Sequence, residues 1–277
     1  MQAQGLWQLS NRGGGTHHHY TPLDLFENDQ TPQSNTHFSA NAPAGSNVRI
    51  YWGDGDFETL ATGVKTYYDH DYASAGTYTI SISGDYEAEG LELYFNEATL
   101  SGDIANFAPL TGLIVLRLGT SVMTGDLADL APLTALRQLE LYDSSGVVGE
   151  VSDLAGMADL EHVNLRNTSV SGDIADVAPL VDLWSLRLNG SDVDTYTTPT
   201  TLPTFAGDTG SHTADIQIQD LGLSTAEVDG FLNDLIAVSR PAAGTLHIDG
   251  TNAARSAASL SAKIDLLADG WVLYLNE

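Results

Sequence analysis

Apolar residues recur through the middle of the chain in a fixed phase. Leu113, Leu116 and Leu118 are followed by Leu136, Leu139 and Leu141, then by Leu160, Val163 and Leu165, then by Leu183, Leu186 and Leu188. Leu93 and Phe95 hold the same places one unit earlier. The last two members of each triplet flank one polar residue, which is the alternation of a strand with one buried face. A second mark keeps the same period: Ser101-Gly102-Asp103-Ile104, Thr124-Gly125-Asp126-Leu127, Val148-Gly149-Glu150-Val151 and Ser171-Gly172-Asp173-Ile174, whose glycines step by 23, 24 and 23 residues. Two marks sharing one period predict stacked units over residues 86–190, each contributing a strand to a common sheet.

The flanks read differently. Over residues 36–85 the runs HFSANA, NVRIYW, FETLA, KTYYDHDY and TYTISIS are short and rich in β-branched or aromatic residues. Pro43-Ala44-Gly45, Gly53-Asp54-Gly55 and Ala75-Gly76 punctuate them, predicting a small sandwich. In residues 191–277, Ile216 with Ile218 and Leu246 with Ile248 mark further strands. Ser224-Thr225-Ala226-Glu227 is a capping box ahead of a helix with Val228, Phe231, Leu232 and Leu235 on one face. A second helix is expected from Ser256 to Asp269, with Leu260, Ile264, Leu266 and Leu267 inward, and a last strand over Trp271–Leu275. This region is the expected cap, since a stack must cover its last apolar face. Residues 1–35 carry Gly13 to Gly15, Pro22 and Pro32. Their apolar residues fall in two groups: Leu6, Trp7 and Leu9, then Leu23, Leu25 and Phe26. They read as a docking arm that packs either on the neighbouring domain or on a partner subunit.

The L-x-x-L-x-L triplets resemble leucine-rich repeats, and the SGDIANFAPLTG segment resembles repeats with the plant-like SG-x-I turn. Such repeats usually place Asn or Cys inside the coil after the strand; here those places hold Ala98, Ser121, Ser144, Thr168 and Ser191. Hydroxyls supply part of that bonding, and Ala98 supplies none. Trp52-Gly53-Asp54-Gly55, His70-Asp71-Tyr72 and Gly76-Thr77-Tyr78-Thr79-Ile80 resemble the signature of PKD-like domains, which are mostly spacers and adhesive modules. That likeness covers about fifty residues, and it implies that Trp52 plugs the inter-sheet core and Tyr78 lies on the last strand. The segment from Gly222 to Trp271 resembles the C-terminal ends of repeat proteins from bacteria and their phages. Together these imply a mainly β chain with short helices: an Ig/PKD-like β-sandwich joined to a leucine-rich-repeat solenoid with an α/β C-terminal cap.

Charge narrows the partners. With 37 Asp+Glu against 10 Lys+Arg the net charge is −27, a field that repels nucleic-acid phosphates and anionic membranes. The absence of Cys removes disulfide and thiolate chemistry. No run approaches the ~18 apolar residues of a membrane span, so no membrane insertion is expected. The N-terminus MQAQGLWQLSNRGGG has neither the basic nor the apolar region of a secretory signal. His17, His18 and His19 read as a solvated turn.

The eight His residues are scattered, and no metalloprotease, nucleophile-elbow or phosphate-loop motif occurs. A non-enzymatic role is therefore expected. Asp103, Asp126, Glu150 and Asp173 would form a ladder that is solvated, caps the following turns, or shares Ca²⁺; capping or solvation is preferred, so no cofactor is expected. Asp54 and Asp56 raise the same question. The outward positions of the repeat strands, read by alternation, form two columns. Tyr94, Arg117, Glu140 and Arg187 stand in one; Tyr142 and Arg166 stand in the next. They are the candidate partner-binding residues for a glycan or a protein loop, against an ion network of Arg117, Arg187 and Glu140 with no ligand. The expected role is a structural or adhesive surface protein. Its expected setting is a bacteriophage virion surface, as a capsid decoration or tail component among other virion proteins, with a homo-oligomer as one arrangement. The alternative is a bacterial cell-surface adhesin that binds a host glycan or protein.

Overall fold

A computed structural model describes residues 19–30, 35–95, 100–198, 200–206, 213–239 and 241–276. Six strands open it: β1 (His19–Asp29), β2 (Asn35–Asn41), β3 (Arg49–Tyr51), β4 (Phe57–Thr59), β5 (Thr66–Asp71) and β6 (Thr77–Gly84). From β7 (Leu91–Phe95) and β8 (Leu100–Asp103) onward, strands come in pairs. These are β9 (Leu113–Leu118) with β10 (Val122–Asp126), β11 (Gln138–Glu140) with β12 (Gly146–Val148), β13 (His162–Asn164) with β14 (Ser171–Asp173), and β15 (Ser185–Arg187) with β16 (Asp192–Thr195). The last layers hold β17 (Ala214–Gln217), helix α1 (Thr225–Ala237), β18 (Gly244–His247), helix α2 (Leu260–Ala268) and β19 (Val272–Tyr274).

The chain is mainly β with few and short helices, and its sheets mix parallel and antiparallel pairs. One sheet has ten strands in the order β19-β18-β17-β15-β13-β11-β9-β7-β2-β5, a second has seven in the order β12-β10-β8-β1-β6-β3-β4, and β14 and β16 pair in a third. The first two run through the expected boundary at residue 85. β2 pairs antiparallel with β7, which then starts the parallel ladder, and β1 pairs antiparallel with β8 on the other side. One hydrophobic cluster fills the space between, from Leu25 and Trp52 through Leu116, Leu139, Val163 and Leu186 to Leu246 and Trp271.

The recurring Gly and acid have one local cause. Each acid precedes a short 3₁₀ turn as its N-cap, and Asp103, Asp126 and Asp173 also end a strand. Asp103 accepts from the Ala105 amide at 2.9 Å, Asp126 from Ala128 at 3.0 Å and Asp173 from Ala175 at 2.8 Å, while Glu150 shares a capping box with Asp153. The glycines meet these caps from the next layer. A Cβ on Gly125 would lie 2.3 Å from Asp103 Oδ1, and one on Gly149 would lie 2.6 Å from Asp126 Oδ1; both have positive φ, at +118° and +112°. Glycine is thus required twice over, by backbone conformation and by the cap beneath it.

The hydroxyls inside the coils bond as their positions imply. Ser121 donates to the Leu118 carbonyl, Thr168 to Leu165 and Ser191 to Leu188, at 2.6–2.7 Å, while Ser144 reaches the Ser121 carbonyl at 3.0 Å. Ala98 lies outside the described residues. Near the end of the stack a true Asn serves instead. Buried Asn252 accepts from the Leu221 and Leu223 amides and donates to the carbonyls of Ile218 and Ile248.

The second apolar group of residues 1–35 packs on the same chain, one of its two expected places, while the expected inward face of the second helix fails. Leu25 and Phe26 are buried at 0% and 3% exposure in β1, with Leu23 packed beside them, because β1 is the strand between β6 and β8. Leu6, Trp7 and Leu9 lie outside the described residues. In α2 only Ala262 and Leu266 face the core; Leu260, Ile264 and Leu267 are exposed. The layer before α2 meets only one side of that helix.

Candidate functional site

The ten-stranded sheet presents its second face away from the core, and parallel register sets the rows. Tyr94, Arg117, Glu140, Asn164, Arg187, Gln217, His247 and Tyr274 follow one another across neighbouring strands. A parallel row two residues earlier runs Gln138, His162, Ser185, Asp215. Sequence reading stopped short of this second row, although the same alternation points to it.

Its centre is a charged cluster with little access to water. Glu140 is 8% exposed. Arg117 Nε lies 3.1 Å from Glu140 Oε1, and His162 Nε2 approaches the same oxygen at 3.0 Å. Arg117 also donates to Gln138 Oε1 at 3.0 Å. Burial alone would raise the Glu140 pKa; the His162 contact and the charges of Arg117 and Arg187 outweigh it and hold the carboxyl below its ordinary range. Arg187 makes its ion pair with Asp215, Nε to Oδ2 at 2.9 Å, rather than with Glu140. The expected trio of Arg117, Arg187 and Glu140 is thus two neighbouring groups.

Tyr94 closes one side. Its hydroxyl donates to Glu92 at 2.8 Å, and its ring lies under two cations, with Lys65 Nζ 3.3 Å and Arg117 Cζ 5.3 Å from the centroid. Burial and the Glu92 carboxylate push the Tyr94 phenol upward, while burial and then Arg117 push the Lys65 amine down. On the following row, Arg166 lies 4.7 Å over the Tyr142 ring and donates to Asp143 at 3.1 Å. Tyr142 itself rests on Gly119, where a Cβ would come 2.1 Å from the ring.

The structure therefore gathers Tyr94, Arg117 and Glu140 into one cluster, Tyr142 and Arg166 into a second, and leaves Arg187 with Asp215. No known family model matches this chain, and no curated protein does. Among the described residues no helix is long and apolar enough to cross a membrane.

A second constellation lies in the turn between β3 and β4. Asp54, Asp56 and His70 bring three potential ligand atoms within 4.8 Å of one another. His70 Nε2 and Asp54 Oδ2 are 2.7 Å apart, and Asp54 Oδ1 accepts from the Asp56 amide at 3.0 Å. Burial raises the Asp54 pKa, but the Asp56 amide and His70 bring it below its ordinary value. His70 stacks flat on Trp52, with centroids 4.7 Å apart, and Trp52 is 1% exposed. These groups already bond one another, locking the turn against the buried indole. A Ca²⁺ ion, which takes oxygen ligands, would find only two carboxylates here.

Proposed function

We propose that this chain is a non-enzymatic surface protein in which a PKD-like sandwich carries a leucine-rich-repeat stack, and that the outward face of the ten-stranded sheet is its contact surface. The observation that carries the reading is the pre-assembled condition of that face. Its acids and bases pair with each other, Glu140 with Arg117 and His162, Arg187 with Asp215, and Arg166 with Asp143. Groups locked in this way are poor proton donors and nucleophiles, but they hold Tyr94, Tyr142 and Arg166 in fixed positions. Rigid aromatic and Arg anchors are what protein and glycan contacts use.

The setting we propose is the surface of a bacteriophage virion, as a head decoration or tail component. The acidic charge suits display away from nucleic acid. Mass spectrometry of purified particles tests it: the chain should co-purify with capsid or tail proteins. Recovery only in host membrane fractions would instead favour a bacterial adhesin. Exchanging Arg117 and Arg187 for Ala should then abolish capture of the partner from that preparation; undiminished capture would remove the face from the proposal.

A further inference from the structure

The last layer of the stack does not end as a cap should. A closing unit shows a polar outer side, yet α2 turns Leu260, Ile264 and Leu267 outward at 46%, 55% and 49% exposure. Their i, i+4, i+7 spacing makes one stripe, on the side away from Ala262 and Leu266. β19 follows directly, with Val272 and Tyr274 exposed at 51% and 45%. It pairs with β18 on one side and is the free edge of the ten-stranded sheet on the other.

The two edges of that sheet differ. β5, at the far end, carries exposed Asp69 and Asp71, the charge that normally keeps an edge from pairing. β19 carries no charge at all. Local charge points the same way. The chain as a whole is at −27, whereas residues 251–277 hold Arg255 and Lys263 against Asp265, Asp269 and Glu277, a net of −1. A second copy approaching this end meets less repulsion than the average charge of the chain implies. Five half-exposed side chains of this size uncover roughly 400–500 Å². With the β19 backbone and a polar rim, that comes near the ~800 Å² per partner of a specific interface.

We infer that α2 and β19 form a two-fold interface with a second copy of this chain. β19 pairs antiparallel with its counterpart, which continues the sheet, and the two α2 stripes face each other across the same axis. Such a contact is closed and isologous, so it yields a dimer and not a fibre.

Sedimentation velocity on the full chain over a hundred-fold concentration range tests this. The wild type should reach dimer mass, and more readily at high salt, where the remaining repulsion is screened. Ile264→Glu should stay monomeric with an unchanged circular-dichroism melt; Leu260→Ser, also exposed, replaces it if the melt shifts. Because the chain has no Cys, Ile264→Cys should give a disulfide-linked dimer on oxidation while Val181→Cys, exposed elsewhere at 60%, should not. A wild type that remains monomeric throughout, or a dimer that survives Ile264→Glu, overturns the inference.

Discussion

At position 140 a carboxylate is held almost out of water by one arginine and one histidine. Desolvation works against its charge, and its partners more than offset that cost. The folded pKa therefore lies below the unfolded one. The stability it contributes is present above the unfolded value, about 4.3, and is lost as pH falls through the folded value. Glu140→Gln should lower stability at neutral pH by on the order of 1–3 kcal/mol, with Arg117 only partly buried. Melting curves at pH 7 and below pH 4 check it, since the gap to wild type should close in acid. A gap that stays constant would place the loss in packing instead. The residues of this cluster were half legible in the sequence. Arg117 and Glu140 follow from counting along the strands, but their partners depend on register. His162 and Asp215 stand one alternation step before the column that was counted, and Asp215 follows a layer longer than the 23-residue period.

Single elements show the same division between what a period reveals and what only neighbours decide. The caps at Asp103, Asp126 and Asp173 coincide with the recurring Gly-acid mark. Asp126→Ala should cost about 1 kcal/mol, measurable by urea denaturation. Leu139→Ala, at a fully buried position, should cost about 2–5 kcal/mol, whereas Val122→Ala at 64% exposure should change stability by less than about 0.5 kcal/mol. A further regularity follows each layer's last inward apolar residue. Thr120, Asp143, Asn167, Gly190, Asp220 and Gly250 stand two residues after Leu118, Leu141, Leu165, Leu188, Ile218 and Ile248, and all have positive φ. Asn, Asp and Gly tolerate that conformation best, so the run of types was itself a signal. The orientation of α2 was not readable. Its stripe of Leu260, Ile264 and Leu267 states that the helix wants an apolar neighbour, but nothing local says whether that neighbour belongs to the same molecule.

Across the whole molecule the two modules share their sheets. β2 lies between β5 and β7, and β1 between β6 and β8. Cutting the chain near residue 85 would strip β1 and β2 of one neighbour each and open the cluster in which Phe95 meets Phe26 edge-on at 4.8 Å and stacks on Phe38 at 4.7 Å. A fragment ending at residue 85 should therefore show no cooperative thermal transition, and the full chain should melt in one step by both fluorescence and circular dichroism. Two separate transitions in the full chain would mean that the modules are independent after all. The fusion was invisible in sequence because each module announces itself by its own motif, while the seam consists of ordinary β pairs.

The repeats also work as a ruler. Every layer adds one strand to the ten-stranded sheet at the same spacing, ~4.8 Å, and Gly125 and Gly149 each sit on the cap of the layer before. Splicing in one more 23-residue unit should therefore carry the α2–β19 end about one strand width further from β5. The distance between the two ends of this protein is set by a count of repeats, a quantity that lengthens or shortens only in whole steps.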